Sequence, residues 1–138
     1  MTSDLDPQNR LIVDCLRHAF EGVVAVYRFG STAQGTASRE SDTDVAVLAG
    51  ARIPAARRFD VQEQLAARLG RDVDLVDLAA ASPVMAIQAV ARGQLIYDGN
   101  SAARGLFEDR TLSAYARLNE ERRGILERVA AEGTVYGR

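Results

Sequence analysis

The chain predicts an α/β domain, one sheet flanked by helices, and three observations carry that prediction. Short β-branched and aromatic runs alternate with stretches of helical spacing through the first hundred residues. Two helix starts are marked by a capping residue followed by proline, Asp6-Pro7 and Ser82-Pro83. No repeat, linker or low-complexity segment divides the 138 residues. One domain of this size buries roughly two-thirds of the surface its unfolded chain exposes.

After Asp6-Pro7, the apolar residues Leu11, Ile12, Cys15, Leu16, Ala19 and Phe20 recur at helical spacing, which predicts a helix over 7–21 ended by Gly22. Val23 to Phe29 is a buried strand by composition. Ser31 to Gly35 reads as a short helical turn, Thr36 to Ser41 as a polar loop, and Thr43 to Leu48 as a second strand stopped by Gly50. Pro54 opens a second long helix, with Phe59, Leu65 and Leu69 on its inner side and Gly70 as its C-cap. A third strand follows over 72–78, a helix from Pro83 to Arg92, and a short strand over 93–97. The turn Asp98-Gly99 leads into a helical pattern from Ser101 to about Ala131. Its apolar stripe is Phe107, Leu112, Tyr115, Leu118, Ile125, Leu126 and Val129, which reads as one additional C-terminal helix, with a split into two at Gly105 as the alternative.

Composition removes several functions. No run approaches the ~20 apolar residues of a membrane helix. The polar, acidic start MTSDLDPQNR lacks the pattern of a signal peptide. With the single cysteine, Cys15, these features predict a cytoplasmic protein with no membrane partner. A net charge of −2 argues against direct binding of a nucleic-acid backbone. Every one of the 17 basic residues is arginine, so lysine-dependent phosphate loops and Schiff-base chemistry are excluded. Cys15 and the lone His18 lie one helical turn apart, but two ligands do not make a zinc site. A core cysteine and a partly buried histidine are the expected reading.

The stretch RFGSTAQGTASRESDTDVAVL, residues 28–48, carries the chemistry. Alternation along a strand sends residues i and i+2 to one face, so Asp42 and Asp44 stand side by side where a strand enters the core. Their repulsion costs stability unless a cation lies between them. A third acid comes from RDVDLVDL: Asp74 sits mid-strand between Val73 and Leu75, Asp72 shares its parity and is the fallback, and Asp77 points to the opposite face. Three converging carboxylates suit hard divalent cations, typically Mg²⁺, which accept substrate phosphates as their remaining ligands. Two such ions about 4 Å apart would activate an attacking oxygen and stabilise a leaving pyrophosphate. The turn after Gly30-Ser31 supplies backbone N–H groups and a hydroxyl aimed at a phosphate.

At these residues the chain resembles a known family. Gly30-Ser31, ten intervening residues and Asp42-x-Asp44 are similar to the GSx10DxD signature of polymerase-β-type nucleotidyltransferases, with Asp74 in place of a later hydrophobic-Asp-hydrophobic element. Length and the surrounding regions resemble the minimal nucleotidyltransferases (MNT), the antitoxin half of HEPN/MNT toxin–antitoxin pairs. The resemblance implies a polymerase-β-like domain over 1–138, with a mixed sheet in a core of about 7–98 and a helical extension of about 100–131. It implies Asp42, Asp44 and Asp74 as catalytic and metal residues, and Gly30 and Ser31 as nucleotide-binding residues. ATP is then the substrate, two Mg²⁺ ions (or Mn²⁺) the cofactors, and a tyrosine hydroxyl on a HEPN ribonuclease toxin the acceptor of AMP. Two other functions fit the same residues: nucleotide transfer to a small molecule, and neutralisation of a toxin by binding alone. The small-molecule enzymes of this type carry a further substrate domain, for which 138 residues leave no room.

Overall fold

The computed structural model describes residues 6–30 and 42–132. Helix α1, Pro7–Ala19, starts where the Asp6 carboxylate accepts the Asn9 N–H at 2.8 Å. Strand β1 is Ala25–Phe29, β2 Thr43–Leu48 and β3 Val73–Asp77. Between β2 and β3, α2 spans Ala55–Leu69 and ends on Gly70 in the left-handed conformation. A 3₁₀ turn, Leu78–Ala80, leads to α3, Pro83–Arg92, whose first turn is capped by the Ser82 hydroxyl. Strand β4, Gln94–Asp98, precedes α4, Ser101–Glu132.

The strands lie in the order β3-β2-β1-β4, with β1 antiparallel to both neighbours and β2 parallel to β3, so the sheet is mixed. Strand alternation divides the core into two layers. Val26, Val45, Val47, Val73 and Leu75 pack against Ile12, Val13 and Leu16 of α1 and Val61 and Leu65 of α2. On the other face Ala25, Tyr27, Phe29, Ala46 and Leu78 pack against Ala86 and Ala89 of α3, with Phe107 of α4 beside them.

Helix α4 is rooted by a polar network. The buried Tyr27 hydroxyl donates to Glu108 at 2.7 Å, and Arg104 bridges Glu108 at 3.0 Å and Asp98 at 3.1 Å. Burial, then Glu108, pushes the Tyr27 phenol well above its ordinary value, which keeps it a neutral donor. The C-terminal extension is one helix, as expected, and the alternative of a split at Gly105 is not taken: α4 runs unbroken through it, because one glycine costs a helix only about 1 kcal/mol. Along the same helix Leu112, Ile125 and Leu126 are exposed while Phe107, Tyr115, Leu118 and Val129 are half-buried, so the expected stripe is covered only in part, with Phe107 packed beside the second core layer.

Other expectations also shift. Phe59 is 53% exposed rather than inward, because the face of α2 that meets the sheet is set by Val61 and Leu65. His18 is exposed rather than partly buried, since α1 turns Cys15 inward and leaves His18 in its solvent-facing last turn. The expected helical turn and loop over 31–41 lie outside the described residues.

Candidate active site

The end of β1 and the beginnings of β2 and β3 meet at one end of the sheet. Phe29 pairs with Asp44, and Asp44 pairs with Asp74, so the two carboxylates stand on neighbouring strands and on one face. Asp42 is exposed and lies just before β2. Burial raises the Asp44 pKa above the ordinary carboxylate range, and the charges of Asp74 and then Asp42 add to that rise. The charges of Asp74 and Asp42 are thus both felt at Asp44. Among the described residues no three acids, cysteines or histidines stand close enough to enclose one ion as they are placed. The close pair is Asp44 and Asp74.

Gly30 follows β1 with φ +79°, a conformation that side chains disfavour. A Cβ added there would collide with the Asp44 carboxylate. Glycine is thus required by the acid next to it. Ser31, the other expected nucleotide contact, lies outside the described residues. Asp72 is exposed at the threshold of β3 and uses its carbonyl to accept the Thr43 N–H at 2.9 Å. Asp77 is buried: one carboxylate oxygen accepts the Ala79 N–H at 3.1 Å and starts the 3₁₀ turn. That is a structural task away from the acids.

Two features escape a reading of the sequence. Strand β3 is an edge strand, and α2 covers it: Arg58 donates to the Leu75 carbonyl at 3.0 Å, and the Gln62 side-chain oxygen accepts the Leu75 N–H at 2.9 Å. The i, i+4 spacing of Arg58 and Gln62 beside the apolar stripe was the available signal. Beside this edge runs a groove of about 350 Å³ that begins at Asp74 and passes Val76, Ala80, Ala81, Ser82 and Met85. The second feature is Arg28, a charge inside the run VVAVYRF. It is buried on the opposite face from Asp44, where its guanidinium donates to Asn9 at 2.9 Å and Gln8 at 3.0 Å. Burial lowers its pKa, and the neighbouring Asp6 opposes that shift.

A second groove, about 380 Å³, lies between α1 and α2 and is lined by Asp14, Cys15, His18, Arg57 and Arg68. It touches none of the acids at the strand ends. Burial pushes the Cys15 thiol pKa up, against Arg68 and Arg57, so this cysteine is a core residue and an unreactive one.

A sequence model of the polymerase beta nucleotidyltransferase domain matches residues 12–102, a span that contains Gly30, Asp42, Asp44 and Asp74. The chain belongs to the polymerase β nucleotidyltransferase family. This nucleotidyltransferase is 39% identical over 120 residues to the protein adenylyltransferase MntA of Shewanella oneidensis, covering 87% of this chain and 86% of that protein. Its fold matches a solved toxin–antitoxin structure with AMP-PNP at a TM-score of 0.80 and 38% identity, over 88% of this chain and 98% of that one. It also matches a chain in the complex of tri-AMPylated Shewanella oneidensis HEPN toxin with MNT antitoxin, at a TM-score of 0.76 and 32% identity. That match covers 94% of this chain and 99% of the other. The mixed sheet with its added C-terminal helix is therefore a polymerase-β-like nucleotidyltransferase fold. No helix among the described residues is long and apolar enough to cross a membrane.

Proposed function

We propose that this nucleotidyltransferase is an antitoxin that moves AMP from ATP to a tyrosine hydroxyl of a HEPN ribonuclease toxin and so silences it. One observation carries the reading: Asp44 and Asp74 stand in register on adjacent strands, with the Gly30 turn packed on Asp44. Similarity along most of the chain to an adenylyltransferase, and to toxin–antitoxin structures, supports the choice of nucleotide and acceptor. The same reading takes 1–138 as one domain, core about 7–98 and extension about 100–131, acting in the cytoplasm.

The donor set fits hard divalent cations. Two carboxylates are paired on adjacent strands and a third contributes to the field at Asp44, an oxygen donor set of the kind such ions take. Asp42, Asp44 and Asp74 would hold two Mg²⁺ ions, or Mn²⁺ in their place. Bound there, the ions would supply charge stabilisation to the attacking and leaving oxygens. In this reading Gly30, with no side chain, would leave room for a phosphate beside the backbone, and Ser31 would add a hydroxyl. In the transfer, the phenol oxygen forms a bond to the α-phosphorus and the bond from that phosphorus to the bridging oxygen breaks. Pyrophosphate leaves with the electron pair, and the phenol proton passes to water.

The test is intact-mass analysis of a HEPN toxin encoded beside this chain and co-expressed with it. Wild type should add the mass of AMP to the toxin, and tyrosine should carry it. Asp42→Ala, Asp44→Ala and Asp74→Ala should abolish the addition while still binding the toxin, and a chelator should stop transfer by the wild type in vitro. A toxin that is neutralised yet carries no added mass would refute the reading.

A further inference from the structure

We infer that the groove along the β3 edge is the seat of the acceptor's tyrosine ring, with the phenol oxygen at its Asp74 end. This deepens the transfer reading above and rests on it. The argument begins with the order of groups across the sheet. Gly30 ends β1, Asp44 lies on β2 and Asp74 on β3, so turn, central acid and outer acid follow one another in a line. With the β- and γ-phosphates on the Gly30 side, the bond that breaks points from the α-phosphorus toward β1. In-line displacement requires the incoming oxygen on the opposite side of that phosphorus, which is the β3 side.

On the β3 side a groove touches the outer acid. The groove begins at Asp74 and runs past Val76, Ala80 and Ala81 to Met85 on the first turn of α3. Leu75, Val76, Ala80, Ala81 and Met85 give it an apolar wall that suits a flat ring, with Arg58, Asp77 and Ser82 as polar groups at its edge. A thioether packs favourably against aromatic edges. At about 350 Å³ it holds one ring and the backbone that carries it. Met85 is 40% exposed and its neighbour Val84 38%, so apolar surface continues from the groove onto α3. The strand edge beneath cannot pair with an incoming strand at Leu75, because Arg58 and Gln62 already occupy its carbonyl and N–H. An acceptor can therefore enter by its side chain and not by β-augmentation at that residue.

Two variants narrow the groove without touching an acid: Ala80→Trp and Met85→Asp. In steady-state AMP transfer, each should raise the KM for the toxin about tenfold or more and leave the KM for ATP and the melting temperature unchanged. A benzophenone amino acid in place of Met85, in the complex with AMP-PNP, should cross-link to the toxin segment that bears the tyrosine. A raised KM for ATP with an unchanged KM for the toxin would give the groove to the nucleotide and overturn the proposal. No change in either constant, or cross-links only to other toxin segments, would overturn it as well. Failure of the transfer reading looks different: the wild type would then modify nothing, whatever the cross-link shows.

Discussion

The contact between Gly30 and Asp44 can be measured as a free energy. Gly30→Ala imposes two costs. The first is the left-handed backbone at φ +79°, about 1–2 kcal/mol for an L-residue. It is partly offset by ~0.4–1 kcal/mol, because alanine restricts the unfolded chain. The second is the collision with the Asp44 carboxylate, which must leave its rotamer for about 0.5–1.5 kcal/mol. Gly70→Ala is the control: its φ is +71°, but a Cβ there meets nothing within 4 Å, so it carries the first cost alone. Gly30→Ala should therefore destabilise by about 2 kcal/mol and Gly70→Ala by about 1 kcal/mol. At roughly 2.1 cal/mol/K per residue, 138 residues convert each kcal/mol into a melting shift of about 3–4 °C. The decisive assay is a double-mutant cycle by urea unfolding. In an Asp44→Ala background only an ordinary contact at 3.5 Å, to the Cβ, remains, so Gly30→Ala should cost no more than the control. An equal cost in both backgrounds would refute the contact as the reason for glycine.

Further outcomes follow from the same residues. The Asp44 pKa is raised in the folded protein, so its contribution to stability is present below the ordinary carboxylate range and is lost as pH rises through the raised value. Without divalent cations Asp44→Asn should thus melt above the wild type near neutral pH, with the gap closing in acid; a gap independent of pH would contradict this. Asp77→Ala should lose about 1 kcal/mol of stability in denaturation, by removing the cap on Ala79, and leave the KM for ATP at the wild-type value, since Asp77 lies on the face of β3 opposite Asp44 and Asp74. Gly105→Ala should gain about 1 kcal/mol, seen as a higher melting temperature, because its Cβ would meet nothing within 4 Å in an unbroken helix.

Much of this site is written in local patterns. Capping residues with proline and a following glycine fixed α3 at both ends, and β2 begins and ends where composition changes. Strand parity set Asp74 apart from Asp77 within β3, because alternation is a property of the backbone and needs no partner. What it could not supply is the pairing: that β2 and β3 run parallel, with Asp44 and Asp74 side by side, depends on contacts between distant segments. The same limit hid the burial of Arg28, whose amide partners come from a helix about twenty residues earlier. Phe59 was misplaced for a related reason. Its helix could have met the sheet through either of two adjacent stripes, and only packing chose the one through Val61 and Leu65. A split at Gly105 stood as an alternative because propensity is local, whereas the bonds of Glu108 and Arg104 hold that part of α4 in place.

The rooting of α4 also divides the helix into two dynamic regimes. Its 32 residues extend about 48 Å at 1.5 Å per residue, while the bonds to the sheet and to Asp98 come from Arg104 and Glu108. Amide protons near those residues should exchange with solvent only when the whole domain opens. Those beyond Thr111, on turns whose Leu112, Ile125 and Leu126 are exposed, should exchange through local opening of those turns. A partner that covers this segment would then announce itself as slowed exchange in the outer turns alone, a signature separate from any chemistry at the acids.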